Sequence, residues 1–110
     1  MREKLDLIFP GTILFEEFME PLGITAYKLS KEIKVQQTAI GQIIKGNRRI
    51  TADIALRLSK YFGNSAQFWL NLQNFYDLEL ETEKKEYLIR EIIPYNQVAE
   101  KNVVYARALT

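Results

Sequence analysis

A chain of 110 residues, 47% hydrophobic and 26% charged, suits one folded domain with room for a terminal extension. It contains neither cysteine nor histidine, which excludes disulfides, thiolate or imidazole metal sites and His-based nucleophile triads. The net charge of +1 hides an asymmetry: residues 1–23 sum to −3, residues 24–60 to +6, residues 61–91 to −3 and residues 92–110 to +1.

A basic middle third between acidic flanks is the footprint of a phosphate-contacting face, although a solvated helix surface would read the same in isolation. The opening MREKLDLIFPG holds no apolar run long enough for a signal peptide, and no segment reaches transmembrane length. A cytoplasmic protein with no membrane association is expected.

Pro10 and Gly11 open the first helical pattern, in which Leu14, Phe18 and Leu22 recur every fourth residue until Pro21 and Gly23 close it. Thr25 caps a second helix, AYKLSKEI, with Ala26, Leu29, Ser30 and Ile33 on one face. After a break at Lys34–Val35 comes QQTAIGQIIKG, with Ile40, Ile43 and Ile44 inward and Gly46 as its stop.

Thr51 caps ADIALRLSKYF, with Ile54, Leu58 and Tyr61 or Phe62 as its buried stripe and Gly63 at its end. Ser65 caps AQFWLNLQNFYDLEL, and ETEKKEYLIREI extends or follows it as helix up to Pro94. The final NVVYARALT alternates apolar residues and is compatible with a strand, a short helix or a disordered tail. The sum is an all-α domain of about five helices over residues 1–90, followed by a C-terminal extension over residues 91–110.

The second and third segments have the proportions of a helix-turn-helix, whose second helix enters the major groove of duplex DNA. Ser30 is the small residue that lets the two helices cross closely. Gln36, Gln37, Thr38, Gly41 and Gln42 fall on the outer face of the second helix and are the candidate base-reading residues. Glutamine suits bidentate bonding to adenine. Lys28, Lys31, Lys45, Asn47, Arg48 and Arg49 are the candidate phosphate contacts. Three positions depart from the usual pattern. Lys34 occupies a turn site that favours Gly, at a cost of about 1 kcal/mol. Gln36 is a poor N-cap, and Gly41 weakens its helix by roughly 1 kcal/mol relative to Ala.

Phe68, Trp69, Phe75 and Tyr76 form an aromatic stripe read as core or subunit interface. Adjacent Phe68 and Trp69 lie about 100° apart on a helix, so one of the two should face a partner subunit. Phe68, Trp69 and Leu72 are the candidate dimer contacts. Glu16, Glu17 and Glu20 lack a spaced oxygen-ligand loop, so no metal is expected there. No cofactor and no catalytic set are expected.

The stretches FPGTILFEEFMEPLGIT, IGQIIKGNRRITADIALRLSKYFG and NSAQFWLNLQNFYDLE resemble the HigA branch of the lambda-repressor-like helix-turn-helix proteins, also called virulence-associated protein I. The resemblance covers roughly residues 9–80. It implies a homodimeric DNA-binding repressor that is also an antitoxin, binding a HigB-type ribonuclease toxin and repressing its own operon. A stand-alone phage- or plasmid-type regulator without a toxin is the alternative. Charge complementarity with a basic ribonuclease would place the toxin on the acidic flanks, at Glu16, Glu17 and Glu20 or at Glu79, Glu81, Glu83 and Glu86. The alternating Val103, Tyr105, Arg107 and Leu109 offer a strand to a partner's sheet edge as a second route.

Overall fold

The structure, a computed structural model, describes residues 8–95. Among these the fold is a bundle of five helices. Helix α1 runs in three consecutive pieces, Pro10–Ile13, a π-helical Leu14–Met19 and Glu20–Leu22. It is followed by α2 (Ala26–Ile33), α3 (Gln37–Ile44), α4 (Ala52–Phe62) and α5 (Ala66–Arg90).

The starts and stops follow from local chemistry. Thr25, Thr51 and Ser65 accept hydrogen bonds from the N–H groups of Lys28, Ile54 and Phe68, at 3.1, 3.4 and 3.0 Å. Gly23 and Gly63 end α1 and α4 in the left-handed region, where only glycine escapes a Cβ penalty.

Helix α1 departs from the four-residue repeat. Pro21 has no N–H to give, and its ring crowds the carbonyl four residues back. The preceding turn widens, and the Glu20 N–H bonds to the Phe15 carbonyl, five residues back. The register therefore slips by one residue. Leu14 and Met19 are fully buried, Phe18 is half-buried, and Leu22 is 65% exposed rather than part of the buried stripe.

The core gathers Leu14 and Met19 of α1, Leu29 and Ile33 of α2, Ile40 and Ile43 of α3, Ile54, Ala55 and Leu58 of α4, and Trp69 of α5, with Ile50 from the loop before α4. Each large aliphatic side chain so buried contributes about 1.5–3 kcal/mol. Trp69 is fully buried, donates its indole N–H to Asn64 Oδ1 at 3.0 Å, and packs 4.8 Å from the Phe18 ring. This corrects the expectation that Trp69 contacts a partner subunit, because its surface is used up within the protomer. Phe68 remains 36% exposed and Leu72 half-buried.

Helix α5 has 25 residues, a non-helical conformation at Lys85, and every described residue from Lys84 onward exposed. No helix among the described residues is long and apolar enough to cross a membrane. Of the C-terminal extension only residues 91–95 are described; the alternating segment with Val103, Tyr105, Arg107 and Leu109 lies outside the described residues.

Candidate nucleic-acid interface

The turn between α2 and α3 is built around Lys34, which sits at φ 62° and ψ 48°. It is the one non-glycine residue with positive φ among the described residues. The chain reverses there because the Lys34 and Val35 N–H groups both reach the Ser30 carbonyl. Ser30 itself is buried and donates its hydroxyl to the Tyr27 carbonyl at 2.7 Å. The strain at Lys34 is met from α4. Arg57 Nη1 donates to the Ile33 and Lys34 carbonyls at 2.8 and 3.1 Å, while Arg57 Nε is held by Asp53 Oδ1 at 3.0 Å. Arg57, one of the basic residues of the middle third, is therefore a clamp on the turn.

Helix α3 buries Ile40 and Ile43 and turns its polar residues outward. Gln36, Gln37 and Thr38 are exposed, and Gly41 and Gln42 half-buried. Gln36 is the N-cap residue, yet its side chain caps nothing; its carbonyl alone accepts from Ala39 and Ile40. A β-carbon at Gly41 would meet nothing within 4 Å, so no contact inside the chain requires glycine there.

The far end of α3 is fixed from two sides. Gly46 takes φ 83° and the Asn47 N–H bonds back to the Gln42 carbonyl at 2.8 Å. Gly11 of α1 is in such close contact that a β-carbon on it would stand 1.7 Å from the Ile43 carbonyl oxygen. The sequence pattern marked Pro10–Gly11 only as a helix start. The second duty of Gly11, holding α1 against the backbone of α3, depends on a tertiary contact that no local pattern reveals.

The basic residues sort by partner. Lys45, Asn47, Arg48 and Arg49 are all exposed at the end of α3 and in the loop that follows. Arg48 Nε donates to Gln42 Oε1 at 2.9 Å, joining a candidate phosphate contact to a candidate base reader. Arg49 Nη2 donates to Asp77 Oδ2 at 2.6 Å. On α2, Lys28 pairs with Glu32 at 3.5 Å and Lys31 Nζ lies 5.3 Å from the centre of the Tyr27 ring. The exposed Lys28–Glu32 pair is worth about 0–1 kcal/mol, so it yields readily to a phosphate.

Gln73 and Asp77 carry no functional mark in the sequence pattern of this region. Gln73 of α5 is 3% exposed, accepts from the Ile50 N–H at 2.7 Å and donates to Asp77 Oδ1 at 3.0 Å. A glutamine four residues after Trp69, on an otherwise apolar stripe, was the available signal.

This geometry has counterparts among known proteins. The helix-turn-helix family matches residues 15–69. Virulence-associated protein I of Dichelobacter nodosus is 44% identical over 93 residues, covering 84% of this chain and 85% of that protein. A HigA-family addiction module antidote protein from Coxiella burnetii superposes with a TM-score of 0.76 at 40% identity, covering 81% of this chain and 98% of that one. The antitoxin HigA of Pseudomonas aeruginosa, solved with the higBA promoter, gives a TM-score of 0.78 at 39% identity, covering 80% of this chain and 97% of that one.

Proposed function

The chain belongs to the helix-turn-helix family, in the branch of HigA antitoxins and virulence-associated protein I, and from that premise we propose that it represses transcription by inserting α3 into the major groove of operator DNA. The observation that carries this reading is the outer face of α3. The side chains of Gln37 and Thr38 stand exposed with no hydrogen bond to any described residue, on a helix whose first turn has no side-chain cap. Gln36, Gln37, Thr38, Gly41 and Gln42 read base edges; Lys28, Lys31, Lys45, Asn47, Arg48 and Arg49 set the register on the phosphates.

A helix of this length reads too few base pairs for useful specificity, so a homodimer on two half-sites about 34–36 Å apart is the working unit. Phe68 and Leu72 of α5 are its proposed contacts. The protein acts in the cytoplasm as the antitoxin of a HigB-like ribonuclease and autoregulates the operon. The toxin is placed on the acidic flanks, which keeps the basic face free for DNA. The P. aeruginosa antitoxin solved with the higBA promoter supports the DNA arm of this reading. A labelled promoter fragment of the chain's own gene and a scrambled duplex test the DNA arm; co-purification with the product of the adjacent gene tests the toxin arm. Promoter binding without any co-purifying partner would leave a stand-alone regulator.

A further inference from the structure

Arg48 and Arg49 are neighbours in sequence and take opposite partners. Arg48 is tied to Gln42 on α3 itself, whereas Arg49 is tied to Asp77 on α5. The second connection runs deeper. Asp77 is fixed through its other oxygen by Gln73, and Gln73 holds the backbone N–H of Ile50, the residue beside Arg49. Ile50 is 1% and Gln73 3% exposed, so the anchor of this ring of contacts lies in the core while its outer end, Arg49, has a side chain 53% exposed.

We infer that Asp77, oriented by buried Gln73, is a positioning residue that holds the Arg49 guanidinium in place for a DNA phosphate. The inference rests on the reading of Arg49 as a phosphate contact. Arginine has several rotatable bonds, and ordering it at an interface costs affinity unless it is ordered beforehand. The geometry suits that task. Only Nη2 is engaged with Asp77, and a guanidinium carries five N–H donors, so the remaining edge serves a second anion. The opposite role, in which the carboxylate competes with phosphate, would be suited by an unanchored acid that follows the arginine. Asp77 is instead tethered from the core side by Gln73. The half-exposed ion pair itself adds little to folding stability, so what Asp77 does for Arg49 is expected in DNA binding, while its bond from Gln73 is the part that serves the fold.

The experiment is a double-mutant cycle on the full chain. Affinity for the promoter duplex is measured by fluorescence anisotropy over a chloride series for wild type, Asp77→Ala, Arg49→Ala and the double variant. Arg49→Ala is expected to lower the salt slope by about one counterion. Asp77→Ala is expected to weaken binding by about three- to tenfold with the slope unchanged, as lost pre-ordering of one side chain requires. In the Arg49→Ala background, Asp77→Ala is expected to add nothing, whereas general damage to the domain would persist there. Asp77→Asn, which preserves shape and removes charge, supplies the same comparison where the alanine variant folds poorly. Tighter binding, unchanged affinity, or an equal loss in both backgrounds would overturn the inference. An Arg49→Ala variant with wild-type affinity and slope would instead remove the phosphate reading of Arg49, and the positioning role with it.

Discussion

Gly11 of α1 and Ile43 of α3 meet backbone to backbone, so closely that a β-carbon on Gly11 would stand 1.7 Å from the Ile43 carbonyl oxygen and 2.8 Å from the Ile44 Cα. Neither atom belongs to a flexible side chain. The contact sets the distance between the first helix and the C-terminal end of the helix proposed to read DNA. The smallest possible addition, Gly11→Ala, should force the two apart. Overpacking of this kind costs about 1–3 kcal/mol or more, which lowers the melting temperature by roughly 4–8 °C per kcal/mol in a domain of this size. Calorimetry or thermal circular dichroism checks it, and an unchanged midpoint would contradict the packing.

Gly41 gives the contrasting case. Its β-carbon would meet no protein atom, so Gly41→Ala should raise stability by about 0.5–1 kcal/mol through helix propensity alone. If the glycine serves close approach to a base edge, the same variant should bind promoter DNA more weakly while melting higher. Denaturant unfolding and anisotropy on one preparation separate the two effects. Equal or better DNA binding would make Gly41 irrelevant to recognition.

The left-handed turn makes a third prediction. Lys34→Gly should relieve about 1 kcal/mol of backbone strain. Arg57→Ala should cost about 1–2 kcal/mol, since its guanidinium bridges the Ile33 and Lys34 carbonyls to Asp53. Made together, the two changes should be less damaging than their sum, because the clamp matters most when Lys34 is strained. Urea unfolding of the four proteins measures the coupling, and strict additivity would show that Arg57 does not support the turn.

What could be read from the sequence divides along physical lines. The caps at Thr25, Thr51 and Ser65, the glycine stops, and the unusual backbone at Lys34 are decided within a few residues, and the pattern exposes them directly. Ser30, Ile40 and Ile43 also lie where the helix-turn-helix geometry required. Leu22 follows the four-residue repeat in the sequence yet lies exposed, because Pro21 acts on the turn before it, so the repeat slips and Met19 takes the buried position. Trp69 was assigned to a partner because adjacency on a helix says that two aromatic residues face different ways, not which one faces inward. Gly11, Gln73 and Asp77 were missed because their partners, Ile43, Ile50 and Arg49, lie 23 or more residues away along the chain.

The claim that α3 reads DNA sequence is tested most directly by Gln37→Ala, measured on the promoter duplex and on a scrambled duplex of equal length. The substitution removes an exposed side chain with no bond inside the described fold, so folding should be unaffected. The wild type should prefer the promoter by about a thousandfold or more at physiological salt. Gln37→Ala should lose about 1–3 kcal/mol on the promoter and almost nothing on the scrambled duplex. Equal losses on both duplexes, or no preference by the wild type, would contradict sequence reading by α3.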